Sequence, residues 1–280
     1  MSPYTLIAAA IPALLGSFLL LNFVAAPRAL LVQQAAVAVV ALVAATFTLR
    51  HFKSNLTVKR MPWLLLGMAM LVCAPLIIAS SVPHRWLGMF GFRLYIAPVV
   101  LPLFLLYWHR ALSGDKTTIN LSIIAALVAG VGLIAQPDAA QLTAFALASV
   151  PVIWISSNSL SMRLLPIGLL LGAAGFSWNI PDPLTPVPYV EGVFILASRF
   201  SVWALLSAVI ACALPAIALA LFAYRMRSLG VFSVSLYFAT LYLLAPAQVT
   251  PVPLLGFGAG PILGYFLLVS QVRRLNSNAV

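Results

Sequence analysis

The apolar positions of this chain do not alternate with polar ones. They run on in long stretches at 4–25, 29–49, 62–82, 91–111, 119–135, 139–156, 161–177, 196–224, 231–249 and 254–272, with most charges in the breaks. A bilayer core about 30 Å thick takes roughly 20 apolar residues of helix, and a helix satisfies its own backbone groups in lipid. The short alternating strands of a membrane barrel are absent. The pattern predicts an all-α polytopic membrane protein of about ten transmembrane helices, a single domain over residues 1–280. The first run follows Met1-Ser2-Pro3-Tyr4 with no basic n-region and no small-residue cleavage pattern, so it reads as a span rather than a removable signal. The eighth run is long enough to tilt or to project beyond the bilayer.

Composition removes the soluble alternatives. Hydrophobic residues make up 64% of the chain and charged ones 7%, and the mean hydropathy is +1.13. A net charge of +11 would suggest nucleic acid in a soluble protein. Here the basic residues stand mostly at span ends, where they set topology and meet lipid headgroups, so nucleic acid is not an expected partner and membrane lipids are. With the N-terminus inside, Arg50, Lys53, Lys59, Arg60, Arg110, Lys116, Arg163, Arg225, Arg227, Arg273 and Arg274 share the inner side, 11 of the 15 basic residues. Arg28, Arg85, Arg93 and Arg199 remain outside. Positive-inside sorting therefore predicts that both termini are cytoplasmic.

That topology gives the scarce acids a place. Of four carboxylates, Asp138, Asp182 and Glu191 fall in outer breaks, while Asp115, beside Lys116 in a Ser-Gly turn, reads as a solvated inner loop charge. The longest outer break, Asn179 to Glu191, carries four prolines, which fix φ and block helix, predicting a semi-rigid extended strap. Asp138, in Gln136-Pro137-Asp138, suits a helix N-cap and equally a site carboxylate at the membrane boundary. Glu191 suits a first-turn acid stabilised by the helix dipole, or a partly desolvated base that takes a hydroxyl proton. Asp182 lies in Pro-Asp-Pro, a turn composition. Arg199, eight residues beyond Glu191, falls about 80° away around a helix, too far for direct pairing. Arg85 and Arg93 could hold a diphosphate or a headgroup, or simply snorkel.

Other chemistry finds little support. There is no Gly-rich phosphate loop, no metal-ligand spacing and no Ser-His-Asp grouping; His51, His84 and His109 are scattered at span ends. Cys73 and Cys212 sit mid-span and read as small core residues. Gly256-Phe-Gly-Ala-Gly260 is too irregular for a dinucleotide fingerprint and reads as a break before span ten or a point of close backbone approach.

Four stretches, in order and over nearly the whole chain, resemble the SEDS family of RodA- and FtsW-like proteins. His84-Arg85-Trp86-Leu87, Phe92-Arg93-Leu94 and Leu103-Phe104-Leu105 resemble the family's RRWL…FRLQPSELAKL…LFL region. Gln136-Pro137-Asp138 with Thr143-Ala144 resembles QPDLGTA; Tyr189 to Phe194 falls where the family has HTDFIF; and Pro251 to Gly258 resembles PLPFISYGG. The chain also departs from the pattern. Glu191 stands at the family's aspartate, Ala97, Pro98 and Leu101 replace the polar groups of PSELAK, Arg199 and Phe200 replace an acidic pair, Gly256 replaces a serine, and the large outer loop shrinks to about a dozen residues.

The resemblance implies a compact, divergent ten-span protein of the bacterial inner membrane that polymerises a polyprenyl-diphosphate-linked, lipid II-like glycan on its outer face, in cell shape or division. It implies Glu191 and Asp138 as catalytic carboxylates, Glu191 as base on the acceptor 4-hydroxyl. Arg85, Arg93, Arg199, Gln136 and Asp182 become the candidate substrate-binding residues, with Asp138 and Arg85 or Arg93 orienting the diphosphate. No organic cofactor and no protein-bound metal is implied, and a divalent cation is left open. The usual family partner is a single-pass transpeptidase, a penicillin-binding protein. Two alternatives stay open: a non-catalytic membrane scaffold that kept the fold and lost the site, and a transporter of the lipid-linked precursor.

Overall fold

A computed structural model describes residues 2–51, 57–78, 83–89, 92–156 and 159–276. Its helices are α1 (Pro3–Phe23), α2 (Arg28–His51), α3 (Met61–Ile78), α4 (Ala97–Ala111), α5 (Lys116–Ala135), α6 (Ala139–Ser156), α7 (Leu160–Ser177), α8 (Val193–Phe200), α9 (Val202–Met226), α10 (Leu229–Leu244) and α11 (Ala259–Asn276). Eight of the spans are long and apolar enough to cross a membrane. Exposed apolar side chains such as Leu19, Ile77, Trp203 and Leu243 face outward from several of these helices, the surface expected against hydrocarbon. The protein is thus a multi-pass, all-α membrane protein with one small hairpin.

The short α4 is the hub. Eleven of its residues are buried, Phe104 and Trp108 among them, and it packs against α3, α6, α10 and α11. Its approach to α11 depends on Gly264, where any Cβ would run into the Pro98 carbonyl, so α11 comes in backbone to backbone. Trp108 Nε1 donates to Ser122 Oγ of α5 at 3.2 Å, its polar edge satisfied inside the core.

Three expected boundaries move. The fourth run does not begin as helix at 91: β1 (Trp86–Met89) and β2 (Phe92–Tyr95) pair antiparallel, with Trp86 opposite Tyr95 and Gly88 opposite Arg93. Aromatic and branched residues suit a pleated surface as well as a helix, so hydropathy alone merged the hairpin with α4. The eighth run is broken at Ser201, whose backbone is extended (φ −171°, ψ 162°) and whose Oγ caps α9 by accepting from Ala204 N at 3.1 Å. The tenth run becomes helix (α11) at Ala259 rather than 254, after Leu254 and Gly258 with φ of 65° and 157°. The third is described as far as Ile78; residues 79–82, Lys53, and the side chains of Arg273 and Arg274 lie outside the described residues. Helix alternation gathers Arg28, Arg85, Arg93 and Arg199 at one end of the bundle with Asp138, Asp182 and Glu191. Asp115 lies at the opposite end and caps α5, accepting from Thr118 N at 2.9 Å.

Candidate functional site

The turn between α5 and α6 is built around one arginine. Arg85, at the foot of β1, donates Nε to the Gln136 carbonyl at 2.7 Å and a terminal nitrogen to the Pro137 carbonyl. Its other terminal nitrogen pairs with Asp182 of the strap at 2.9 Å. Arg85 is 5% exposed; a cation so desolvated persists because carbonyls and a carboxylate surround it. Burial works against the Arg85 cation, but Asp138, Tyr95 and Asp182 outweigh it and hold its pKa above the ordinary value.

Asp138 lies directly behind this arginine. It is 2% exposed; one oxygen accepts from the Tyr95 hydroxyl and the other from Gln141 N at 3.4 Å, capping α6. Burial raises its pKa, against the pull of Arg85 and the Tyr95 bond. Burial also drives the Tyr95 phenol well up, so it stands as the donor in that bond. The Gln141 side chain in turn accepts from the Tyr237 hydroxyl of α10, and the Gln136 side chain donates to the Val72 carbonyl of α3 at 2.6 Å. Four helices and the hairpin meet at these few polar groups.

In front of the anchor lies a cavity of about 480 Å³ roofed by the strap. Residues 181–187 of the strap form neither helix nor strand, as its prolines predict, and it then turns back on itself. Asp182 Oδ1 accepts from Leu184 N at 3.1 Å and sets the first bend. At the second, Glu191 Oε2 accepts from Val187 N at 2.8 Å. Burial raises the pKa of Glu191, and the Val187 N–H opposes the rise.

The strap then docks on the loop before α11. Val252 N donates to Val190 O at 3.1 Å and Phe257 N to Tyr189 O at 2.9 Å. Gly256 lies against Val190 so closely that any Cβ would strike its carbonyl. Glycine at this position therefore fits a roof that sits directly on the loop. From beneath, buried Gln34 of α2 donates to Ser17 Oγ at 3.0 Å and accepts from Gly258 N at 3.2 Å, fixing the loop to α1 and α2.

Arg85, Arg93, Asp182 and Glu191 all line the cavity, with Tyr95, Gln33 and Gln248. Asp138 does not open onto it; it stands one hydrogen bond behind Tyr95. Gln136 turns away, toward α3. Arg199 is exposed on α8 and is not among the lining residues, because α8 turns that face outward. Tyr95 and Gln34 went unread in the sequence. Gln33-Gln34, an amide pair inside an otherwise apolar run, was the signal that could have found the second. Among the described residues no group of three or more His, Cys, Asp or Glu could hold a metal ion.

No family model and no curated protein matches the sequence. Solved structures do match over nearly its full length. A mutant of the Thermus thermophilus rod shape determining protein RodA superposes with a TM-score of 0.68 at 16% identity, covering 96% of each chain. A structure described as coordinating polymerisation and crosslinking by a peptidoglycan synthase complex gives 0.62 at 18% identity, covering 96% of this chain and 97% of the other. The architecture is that of a polytopic helical membrane protein with a roofed cavity at one end. Its fold is SEDS-like, the fold of RodA.

Proposed function

We propose that this chain works in bacterial cell-envelope assembly, in the inner membrane, by polymerising a glycan carried on a polyprenyl diphosphate. The observation that carries the reading is Glu191: a half-buried carboxylate of raised pKa, oriented by the Val187 N–H, on the wall of a cavity shared with Arg93. A carboxylate whose pKa has moved toward neutrality is a better base near the working pH than an ordinary one. In the proposed step Glu191 takes the proton of the acceptor 4-hydroxyl as that oxygen bonds to the anomeric carbon of the donor sugar. The bond from that carbon to the diphosphate oxygen breaks, and the polyprenyl diphosphate leaves with the electron pair. Arg93, exposed at the rim and in no ion pair among the described residues, meets the leaving charge. Asp138 acts through Tyr95 and Arg85 as a positioning residue, and Asp182 holds the strap. In this reading the cavity faces outward and both termini lie inside, as the basic residues are sorted.

A single-pass transpeptidase is the proposed partner. An apolar groove of about 700 Å³ between α8, α9 and α10, lined by Leu205, Val209, Ile217 and Leu243, has the composition to receive one transmembrane helix.

A non-catalytic scaffold is the second reading, and specific observations favour it. Ala97, Pro98 and Leu101 are buried where the resembling family has polar groups, and Arg85 is committed to three acceptors. Polymerisation of labelled lipid-linked precursor by the purified protein separates the two. Product from the wild type that is lost with Glu191→Gln supports the enzyme; no product from either supports the scaffold; normal product from the variant removes Glu191 from the reaction.

A further inference from the structure

The end of the bundle opposite the cavity has its own concentration of unmatched charge. α9 ends at Met226, and Arg227 closes it in the left-handed region (φ 49°, ψ 38°), its N–H returning to the Ala223 and Tyr224 carbonyls. This is a backbone conformation that glycine adopts without strain and arginine does not. The turn leads at once into α10 through Ser228, whose hydroxyl makes no capping bond. Between the two helices lies a shallow cavity of about 650 Å³, rimmed by Tyr224, Arg225, Arg227 and Ser228 and floored by Leu229 and Phe232.

Neither guanidinium has an ion-pair partner among the described residues, where the one salt bridge is Arg85–Asp182. Three of the four carboxylates are at the other end, and Asp115 is occupied in capping α5. Two other basic residues at this end are placed differently. Arg163 lies 5.4 Å from the centre of the Trp154 ring, a cation–π arrangement, and Lys59 is close enough to Asp115 to act on its carboxyl. Arg225 and Arg227 instead flank an apolar floor, and Tyr224, 84% exposed, sets a phenol beside them, the side chain favoured at headgroup depth. Two cations, a hydroxyl that makes no capping bond and an apolar floor with Phe232 exposed complement a ligand that is anionic at its head and apolar below.

We propose that this cleft binds the headgroup of an anionic phospholipid. The phosphate lies between Arg225 and Arg227, the Ser228 hydroxyl donates to it, and the acyl chains pass over Leu229 and Phe232. The apolar floor selects a lipid over a free anion, and the doubled charge selects an anionic lipid over a zwitterionic one.

The test is native mass spectrometry of the full-length protein released from micelles doped with phosphatidylglycerol or phosphatidylcholine. The wild type should retain phosphatidylglycerol in preference. Two interfacial cations at about 1 kcal/mol each predict roughly a 30-fold weaker affinity for Arg225→Gln/Arg227→Gln. Arg225→Lys/Arg227→Lys should retain most of the binding, and Arg50→Gln/Arg60→Gln, which changes two exposed arginines outside this cleft at the same end, should behave as wild type. Circular dichroism and a melting curve establish that each variant is folded. Inorganic phosphate in millimolar excess should not displace the lipid. The proposal is overturned if the Gln pair retains phosphatidylglycerol as wild type does, if the wild type holds both lipids equally, or if inorganic phosphate alone strips the lipid and so marks a simple anion site.

Discussion

Two groups of polar side chains share one end of this bundle and are treated in opposite ways. The anchor, Arg85 with Tyr95, Asp138 and Gln136, of which Arg85 and Tyr95 reach the cavity lining, is buried and bonded inward to carbonyls, a carboxylate and a helix N-terminus. The cavity wall, Glu191 with Arg93, is more exposed; one Glu191 oxygen takes a backbone N–H, and Arg93 has no ion pair among the described residues. Burial with inward bonding makes a charge a structural part, because removing one member leaves the others unpaired in a dry site. Partial burial with open valences leaves a charge available to a ligand. Two carboxylates that look alike in the sequence, Asp138 and Glu191, therefore sit in different surroundings.

The largest expected effect breaks the wall and leaves the anchor intact. Glu191→Gln should lower polymerisation by about 10²–10⁴-fold, the usual range for a general base, with melting temperature as the companion reading. The sign of the stability change follows from the raised pKa. Native protein binds this proton more tightly than the unfolded chain, so Glu191 lowers stability when ionised, and that loss is relieved as pH falls through the raised value. The Gln variant should then be at least as stable as wild type at neutral pH, which unfolding curves at neutral and acidic pH would check.

Breaking the anchor should show the converse. Arg85→Ala strands Asp138 and Asp182 and should destabilise by about 3–5 kcal/mol, read as lost folded yield and melting temperature in detergent. A destabilisation below about 1 kcal/mol would dissolve the distinction between anchor and wall. Gly256→Ala tests the roof between them. Its new methyl meets the Val190 carbonyl, with an expected loss of about 1–3 kcal/mol and faster proteolysis within 181–192. Asp182→Asn is the mildest. Its side chain is 34% exposed, so loss of the pair should lower stability by about 1 kcal/mol or less, while the strap becomes more susceptible to protease.

The sequence revealed the helices far better than their joints. Apolar length announces a span whatever its neighbours do, and every apolar run contains a helix, eight of them of spanning length among the described residues. Ser201 and the hairpin at Trp86 to Tyr95 were illegible because their flanks are as apolar as the helices they interrupt. Scarcity marked the acids and the arginines, and four of those residues do line one cavity. Which of them face it could not be read. The Asp138–Tyr95 bond joins residues 43 positions apart, and the outward turn of Arg199 depends on a break that hydropathy does not register.

Gln34 ties the second helix to a loop 222 residues further along the chain. Membrane helices form individually and associate afterwards, so this stitch has nothing to hold until the last third of the chain has left the ribosome. Glu191 can be threaded into place earlier, but the surface its strap rests on arrives with residues 252–258. The pocket is in this sense among the last features to mature, and a nascent chain halted after α10 would carry most of its spans and no seat for the strap.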